Sequence, residues 1–295
     1  MKLTSDNAIF NFDKNNAPAI IAEAPISIDI ETKDCFSNQL KKPDDRLESL
    51  NWEATNPATG PVYIKGAEPG DTLKVTVNKI SPGRRGVVCC MENEGTLGHM
   101  INGSHTKIVD IRDGFAEYAP DIKLPLKPMI GVIGVAPAGK PVNAGTPGQH
   151  GGNMDNTMVT EGASLYFPVA AEGGGLALGD VHGVMGDGEI GVTGLEIPAE
   201  VNITVELIKG KAPEYPILEN EDSFSIIVSK KTIDEAAEKA AELMLEFLRE
   251  RTDMEMQEII MLMSLAGDMQ ICQIVDPEKT VRFVFPKKYM KKAEF

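Results

Sequence analysis

Short β-patterned runs fill the chain from residue 1 to about residue 220, and this pattern constrains the fold more than any other feature. Apolar residues alternate with polar ones in VNITVELI (201–208), which gives one apolar and one mostly polar face. Clusters of Pro, Gly, Asn and Asp separate the runs, and no amphipathic helix of three turns interrupts them. The predicted strands cover residues 19–30, 61–65, 72–80, 107–111, 129–135, 164–170, 176–181, 189–195 and 201–208.

The last quarter of the chain has a helical period instead. Thr232 and Glu235 form a capping-box pattern and predict a helix over about 233–250. Thr252 and Glu255 repeat that pattern before a second apolar helix, which we expect to end near Gly267. The segments ICQIV and TVRFVF then read as closing strands.

These patterns predict a mainly β chain with C-terminal helices, an α+β arrangement resembling a β-sandwich or jelly roll with two helices and closing strands. The absence of strand–helix alternation in the first part argues against a Rossmann domain. We expect one domain over residues 1–295, in which a helical and closing-strand segment (221–295) packs on a β-rich part (1–220).

Charge and cysteine content exclude several classes of protein. The 295 residues carry 29 Lys and Arg against 44 Asp and Glu, a net charge of −15, which disfavours binding to nucleic acid or to anionic membranes. The N-terminus lacks a signal-peptide pattern, and no apolar run is long enough to span a bilayer. The four cysteines form no CxxC pair. We therefore expect a cytoplasmic protein.

A glycine-rich segment, GQHGGNMDNT, contains His150, Asn153, Asp155 and Asn156 directly before a predicted strand. Glycines let the backbone approach a ligand closely. Asn and Asp also cap their own backbone in turns, so the segment alone does not distinguish a turn from a site.

A second segment, GDVHGVMGDGE, concentrates acidic residues around one histidine. Asp180 and His182 are two residues apart on a predicted strand and should face the same side. If Glu189 begins a returning strand, Asp187 and Glu189 also share a face, so a hairpin would gather three carboxylates and one imidazole. Such carboxylates repel one another unless a cation lies between them. The mixed nitrogen and oxygen donors favour zinc, although an ordinary hairpin turn would also use these residues.

Three further residues are weaker candidates. Glu68 lies in a Pro-Gly turn, which is the favoured explanation for it, but it is also a possible site carboxylate. His99 and His105 flank the hairpin dipeptide Asn102-Gly103, and either could approach a cleft or lie at the surface.

Five segments in order, from NPATGPVYIKGAEPGD to VTGLEI, resemble the acetamidase/formamidase family. The others are PMIGVIGVAPAG, HGGNMDNT and LYFPVAAEGGGLALGDVHGVMGDGE. The resemblance covers about residues 56–197. It implies a β-sandwich-like fold, an oligomer, and hydrolysis of short carboxamides such as formamide or acetamide to carboxylate and ammonia at a site that uses divalent metal. The motif positions are His150, Asp155, Asp180, His182, Asp187 and Glu189.

Amide hydrolysis assigns a role to each of these residues. We expect Asp155 and His182 to bind the metal, zinc first, with Glu189 as a further ligand or the general base. His150 would orient the site or donate a proton. Asp180 and Asp187 would complete the ligand set or hold a second ion such as calcium. Asn153 would donate to the substrate carbonyl.

Two other functions remain open at this stage. One is a calcium-stabilised β-sandwich binding module without catalysis, although only 5% of the residues are aromatic and the single Trp52 is distant in sequence. The other is hydrolysis of a different linear C–N amide. The apolar C-terminal helices predict a homo-oligomer, a dimer or higher, with these helices at the subunit interface rather than at the site.

Overall fold

The computed structural model describes residues 1–45 and 47–295, and over these residues the chain is mainly β with two α-helices near the C-terminus. The first strands are β1 (Lys2–Leu3), β2 (Ala8–Ile9), β3 (Asn11–Phe12), β4 (Ile20–Ala22), β5 (Ile26–Thr32), β6 (Ala58–Ile64), β7 (Thr72–Pro82), β8 (Arg85–Met91), β9 (Ser104–Arg112), β10 (Phe115–Ala119) and β11 (Ile122–Pro125). The remaining strands are β12 (Met129–Gly134), β13 (Val142–Asn143), β14 (Gly151–Asn153), β15 (Ser164–Pro168), β16 (Leu176–His182), β17 (Glu196–Ile197), β18 (Ala199–Ile208), β19 (Ile217–Glu219), β20 (Ser223–Lys230), β21 (Asp268–Gln273) and β22 (Lys279–Pro286). The helices are α1 (Ile233–Arg249) and α2 (Met256–Ala266), with 3-10 turns at Leu47–Ser49, Trp52–Ala54, Gly98–Met100 and Lys287–Tyr289.

One large sheet has nine strands in the order β1-β5-β18-β7-β15-β19-β20-β22-β21. Its third strand, β18, pairs antiparallel with β5 on one side and β7 on the other. In β18 the predicted alternation is confirmed, because Val201, Ile203 and Val205 are buried while the residues between them are partly exposed.

The second sheet has eleven strands and contains the site. Its main path runs β11-β10-β9-β8-β17-β16-β12-β14, and β6 joins it through β16. Residues of both sheets, such as Ile203 and Leu178, form one apolar core, so the sheets pack as a sandwich. Every residue of β12 and β16 is buried, which places the polar residues of β16 inside the protein.

The helices cover the other face of the nine-stranded sheet. Helix α1 begins with the predicted capping box of Thr232 and Glu235, and its apolar side packs on β20 and β22. The closing strands β21 and β22 are also confirmed. No helix of the described residues is both long and apolar enough to cross a membrane.

The predicted start of α2, with Thr252 as its cap, is three residues too early. Glu255 is its N-cap, and the Glu258 carboxylate accepts from the Glu255 N–H at 3.0 Å. The Thr252 hydroxyl instead donates to the Leu248 carbonyl at 3.0 Å, so it serves the end of α1. The predicted end at Gly267 is confirmed.

The predicted strand over 189–195 is also wrong. Residues 189–195 form a loop, and a strand begins only at Glu196. Gly188 N–H donates to the Cys272 carbonyl and the Gly188 carbonyl accepts from Ile274 N–H, so this loop pairs with the end of β21 rather than returning along β16. Sequence alone could not anticipate a partner so distant along the chain.

Candidate active site and metal centre

Four carboxylates and one imidazole meet inside the eleven-stranded sheet. Asp180 and His182 extend from β16, and Glu196 comes from the neighbouring strand β17. Asp155 follows β14, and Glu189 comes from the loop after β16. All five side chains are buried.

His182 is the centre of this cluster. Its Nε2 atom lies 3.2 Å from Glu196 Oε1, 3.4 Å from Asp180 Oδ1, 3.8 Å from Asp155 Oδ1 and 4.0 Å from Glu189 Oε1. The other ring nitrogen, Nδ1, lies 3.3 Å from the Met185 sulfur. The predicted common face of Asp180 and His182 is therefore what the structure shows.

The backbone at the cluster is strained. Asp155, Asp180 and Glu189 have φ values of 42°, 52° and 47°, a region that residues other than glycine rarely occupy. Gly131 on β12 makes the close approach possible, because a Cβ atom there would lie 2.5 Å from Asp155 Oδ1 and 2.7 Å from Asp180 Oδ2. The surrounding sheet therefore holds these three residues in unfavourable backbone conformations, and this brings their carboxylates together.

Several buried polar atoms of the cluster have no hydrogen-bond partner. They include both carboxylate oxygens of Asp155, Oδ1 of Asp180, Oε2 of Glu196 and Nε2 of His182. Among the described residues no Lys or Arg forms an ion pair with any of the four carboxylates. Buried polar groups without partners are costly, and a set that converges on one point indicates a ligand.

The donor set fits a divalent cation. Ligand atoms of Asp155, His182 and Glu189 all lie within 4.8 Å of one another. Ligands at ordinary zinc distances around a tetrahedral ion lie roughly 3.3 Å apart, which is close to the spacing around His182 Nε2. Asp180, Glu196 and Cys35 form a second, adjoining group with the same 4.8 Å limit.

Burial and neighbouring charges shift the pKa of each acid, and for Asp180 the effect of burial is outweighed by His182, so that its pKa is lowered. Burial, followed by the charges of Glu189 and Asp180, raises the pKa of Asp155 well above its ordinary value. Burial raises the pKa of Glu189 to about 8, and it raises that of Glu196 to about 7 against the opposing effect of His182. Burial disfavours the charged form of His182, but Glu196 and Asp180 outweigh it and raise the pKa of the imidazole.

A cavity of about 240 Å³ opens onto the cluster. Glu189, Asp180 and Glu196 line it, together with Asn153 and Asp276. Asn153 Nδ2 donates to Asp276 Oδ2 at 3.0 Å, and Asn153 Oδ1 is buried without a partner. The free polar atom of Asn153 is therefore an acceptor, whereas we expected a donor to the substrate carbonyl.

Asp187 does not join the candidate ligands. Its carboxylate pairs with Arg282, with Arg282 Nη2 at 2.5 Å from Asp187 Oδ2, and accepts from the Thr157 hydroxyl at 2.7 Å. The same guanidinium donates to Asn156 Oδ1 at 2.9 Å. Asp187 thus anchors the loop that carries Glu189, and Glu189 alone of the two acids reaches the cluster.

His150 also lies apart from the cluster. It lines a separate surface cavity with Pro147 and Glu278, and its ring meets Phe12 edge-on at 5.2 Å. Burial lowers the pKa of His150 to about 4, so the ring is neutral near pH 7. This position does not favour the predicted orienting or proton-donating role.

The weaker candidates lie at the surface. Glu68 is exposed in its turn and pairs with Lys209 at 3.1 Å. His99 and His105 are exposed as well. None of these three belongs to either group of candidate ligands.

Three residues of the site were missed by the sequence reasoning. Glu196 lies within VTGLEI, a segment that carried the resemblance, but no spacing rule linked it to His182. Cys35 and Asp276 lie in segments without a motif, and they reach the cavity through long-range folding.

Comparisons with known proteins match one family over most of the chain. The model of the acetamidase/formamidase family matches residues 12–146 and 140–291. A solved structure of a predicted acetamidase/formamidase from the thermophile Thermoanaerobacter tengcongensis is 45% identical, covers 97% of this chain and 95% of that chain, and superposes with a TM-score of 0.95. An acetamidase from Bacillus halodurans is 42% identical, covers 98% of both chains and has a TM-score of 0.96.

Curated relatives match over shorter stretches. A formamidase of Methylophilus methylotrophus is 44% identical over 72 residues, which is 24% of this chain and 18% of that protein. The chain spans less than two thirds of the length of the curated relatives that it matches.

Proposed function

This chain belongs to the acetamidase/formamidase family, and from that premise we propose that it is an amidase. The proposed reaction is the metal-dependent hydrolysis of short linear carboxamides, of the formamide or acetamide type, to carboxylate and ammonia. The observation that supports it most is the convergence of unpartnered buried atoms of Asp155, Asp180 and His182 beside a small cavity.

Asp155, His182 and Glu189 would hold the proposed ion, with Asp180 and Glu196 beside it. Zinc is the first choice because an imidazole is central to the donor set. A second ion would meet Cys35, Asp180 and Glu196, and this thiol-containing set differs from the oxygen-only set that calcium prefers. When bound, a divalent ion supplies an activated water and polarises the substrate carbonyl.

Glu189 is the residue best placed to exchange a proton during the reaction. Among the four carboxylates it lies farthest from His182 Nε2, and it lines the cavity. Its carboxylate would therefore be the group that takes and returns a proton during the reaction. His182 and Asp180 contact each other and would hold each other in position at the site.

The size of the cavity supports a small substrate. At about 240 Å³ it lies below the range of roughly 300–1,000 Å³ typical of sites for drug-sized ligands. A short amide therefore fits better than a peptide or an extended amide. A carbohydrate-binding module is disfavoured for a different reason. It would need a broad aromatic surface, and only 5% of the residues are aromatic.

The experiment that tests this function is a substrate panel. Ammonia release should be measured for formamide, acetamide, propionamide and a long-chain amide under the same conditions. We expect turnover of the shortest amides and a steep decline with chain length. Absence of ammonia release from every amide, by protein loaded with zinc or another divalent ion, would contradict the proposal.

We further propose a homo-oligomer in the cytoplasm. Ile260, Met261 and Leu265 on α2 are 46%, 59% and 86% exposed, which is unusual for three apolar residues on one short helix. A second copy of the chain would cover them. The four cysteines are free, as is usual in a reducing compartment.

A further inference from the structure

The loop between β21 and β22 reaches into the candidate active site, although the rest of the C-terminal segment packs elsewhere. Asp276 in this loop lines the same cavity as Glu189 and Asp180. Its carboxylate accepts from Asn153 Nδ2 at 3.0 Å across 123 residues of sequence. A residue near the end of the chain thus forms part of the wall beside the cluster.

Side-chain and backbone hydrogen bonds hold this loop in place. The buried Gln273 side chain accepts from the N–H groups of Val275 and Asp276 at 2.9 and 3.0 Å. Its Nε2 atom donates to the Glu278 carbonyl at 2.7 Å. Lys279 Nζ donates to the Asp276 carbonyl at 2.6 Å. Asp276 is therefore presented by a braced turn, the kind of support that a recognition group requires.

The atoms at this wall of the cavity that remain available for hydrogen bonds to a ligand are acceptors. The Asn153 amide turns its NH₂ group toward Asp276, because Asn153 Nδ2 donates to Asp276 Oδ2. This leaves the Asn153 carbonyl oxygen buried without a partner, next to the partly exposed Asp276 carboxylate. Two acceptors that line one small cavity match a ligand group with two N–H donors.

We propose that Asp276 and Asn153 bind the NH₂ group of the substrate, so that Asp276 is a specificity-determining residue for primary amides. This inference rests on the proposed amidase function. A primary carboxamide offers two N–H donors to the two acceptors, whereas an N-methyl amide offers one and places a methyl group against the other.

The test compares Asp276→Ala and Asp276→Asn with the wild-type protein. Glu278→Gln is the matched control, because Glu278 lies in the same loop and does not line the site cavity. For each protein, kcat and KM are measured with acetamide and with N-methylacetamide. We expect Asp276→Ala to raise KM for acetamide by about fivefold with a smaller change in kcat, as for loss of one hydrogen bond.

The preference for acetamide over N-methylacetamide should fall by a similar factor in Asp276→Ala. It should be partly restored in Asp276→Asn, which keeps one acceptor, and unchanged in Glu278→Gln. A purely structural role would lower activity toward both amides equally. If the wild-type protein hydrolyses acetamide and Asp276→Ala keeps the full preference, this inference is wrong and the proposed function stands. If the wild-type protein hydrolyses no amide, both are wrong.

Discussion

Individual acidic residues at the site are arranged at a cost to stability. Asp155, Asp180 and Glu189 are buried, lie close together, and have left-handed backbone conformations. Each of these features is unfavourable without a ligand, and residues with such strain concentrate at functional sites. Removing the charge of one of these acids should therefore lower activity while raising the stability of the metal-free protein.

Asp155→Asn tests this separation. The variant should lose at least about a hundredfold in activity, because a proposed ligand is removed. The same change should raise the free energy of unfolding of the metal-free protein by about 1 kcal/mol, because burial and the neighbouring acids disfavour the Asp155 carboxylate. Urea unfolding after chelation measures the second effect. Asp121→Asn, at an exposed position, is the control, and equal stability changes in the two variants would contradict the account.

His150 should make the protein acid-sensitive without taking part in the reaction. Burial lowers its folded-state pKa to about 4 from 6.5, so the unfolded chain binds the proton first as pH falls. The associated stability is fully present above pH 6.5 and is lost progressively toward pH 4, by about 3 kcal/mol at the lower limit.

The measurement is the free energy of unfolding between pH 7 and pH 4 for the wild-type protein and His150→Asn. The variant should show a shallower decline, whatever its absolute stability. His105→Asn replaces an exposed imidazole and should keep the wild-type slope. Identical slopes for the wild-type protein and His150→Asn would show that the buried ring does not titrate as described.

At the scale of elements, β12 and β16 act as a pair that shapes the site. β16 supplies Asp180 and His182, and β12 supplies the space for the carboxylates through Gly131. Gly131→Ala should push Asp155 and Asp180 away and lower activity by about a hundredfold, the cost of a displacement of roughly 1 Å. Gly139→Ala, where no atom lies within 4 Å of an added Cβ, should behave as wild type. Ammonia release and zinc content check both variants, and full activity in Gly131→Ala would be incompatible with this arrangement.

Elements with a local signal were predictable from the sequence. The alternation of apolar and polar residues predicted β18, and the capping box predicted α1. The two-residue spacing predicted that Asp180 lies beside His182. Contacts between distant segments were not predictable, because no local pattern encodes them. Arg282 binds Asp187 across 95 residues and removes it from the expected ligand set, and Asp276 arrives in the cavity from the final hairpin.

At the scale of the whole molecule, helix α2 presents an apolar surface that the chain does not cover. Ile260, Met261 and Leu265 on α2 are exposed, and so are Met269 and Ile271 of the edge strand β21, which follows α2 in the chain. Light scattering at micromolar concentration should give a multiple of 31.9 kDa. The pair Met261→Lys and Leu265→Lys should shift this mass toward the monomer, whereas Ile21→Lys, also at an exposed apolar position, should not. A monomeric wild-type mass would exclude the oligomer.

The measurement that tests the central claim most directly is ammonia release with metal content determined on the same samples. Protein is exhaustively chelated, assayed with acetamide, and then reconstituted with zinc in steps. The account predicts that activity falls with loss of metal, returns in proportion to bound zinc, and does not return in His182→Ala at any zinc concentration. Chelated wild-type protein that retains full turnover while containing almost no metal would contradict it.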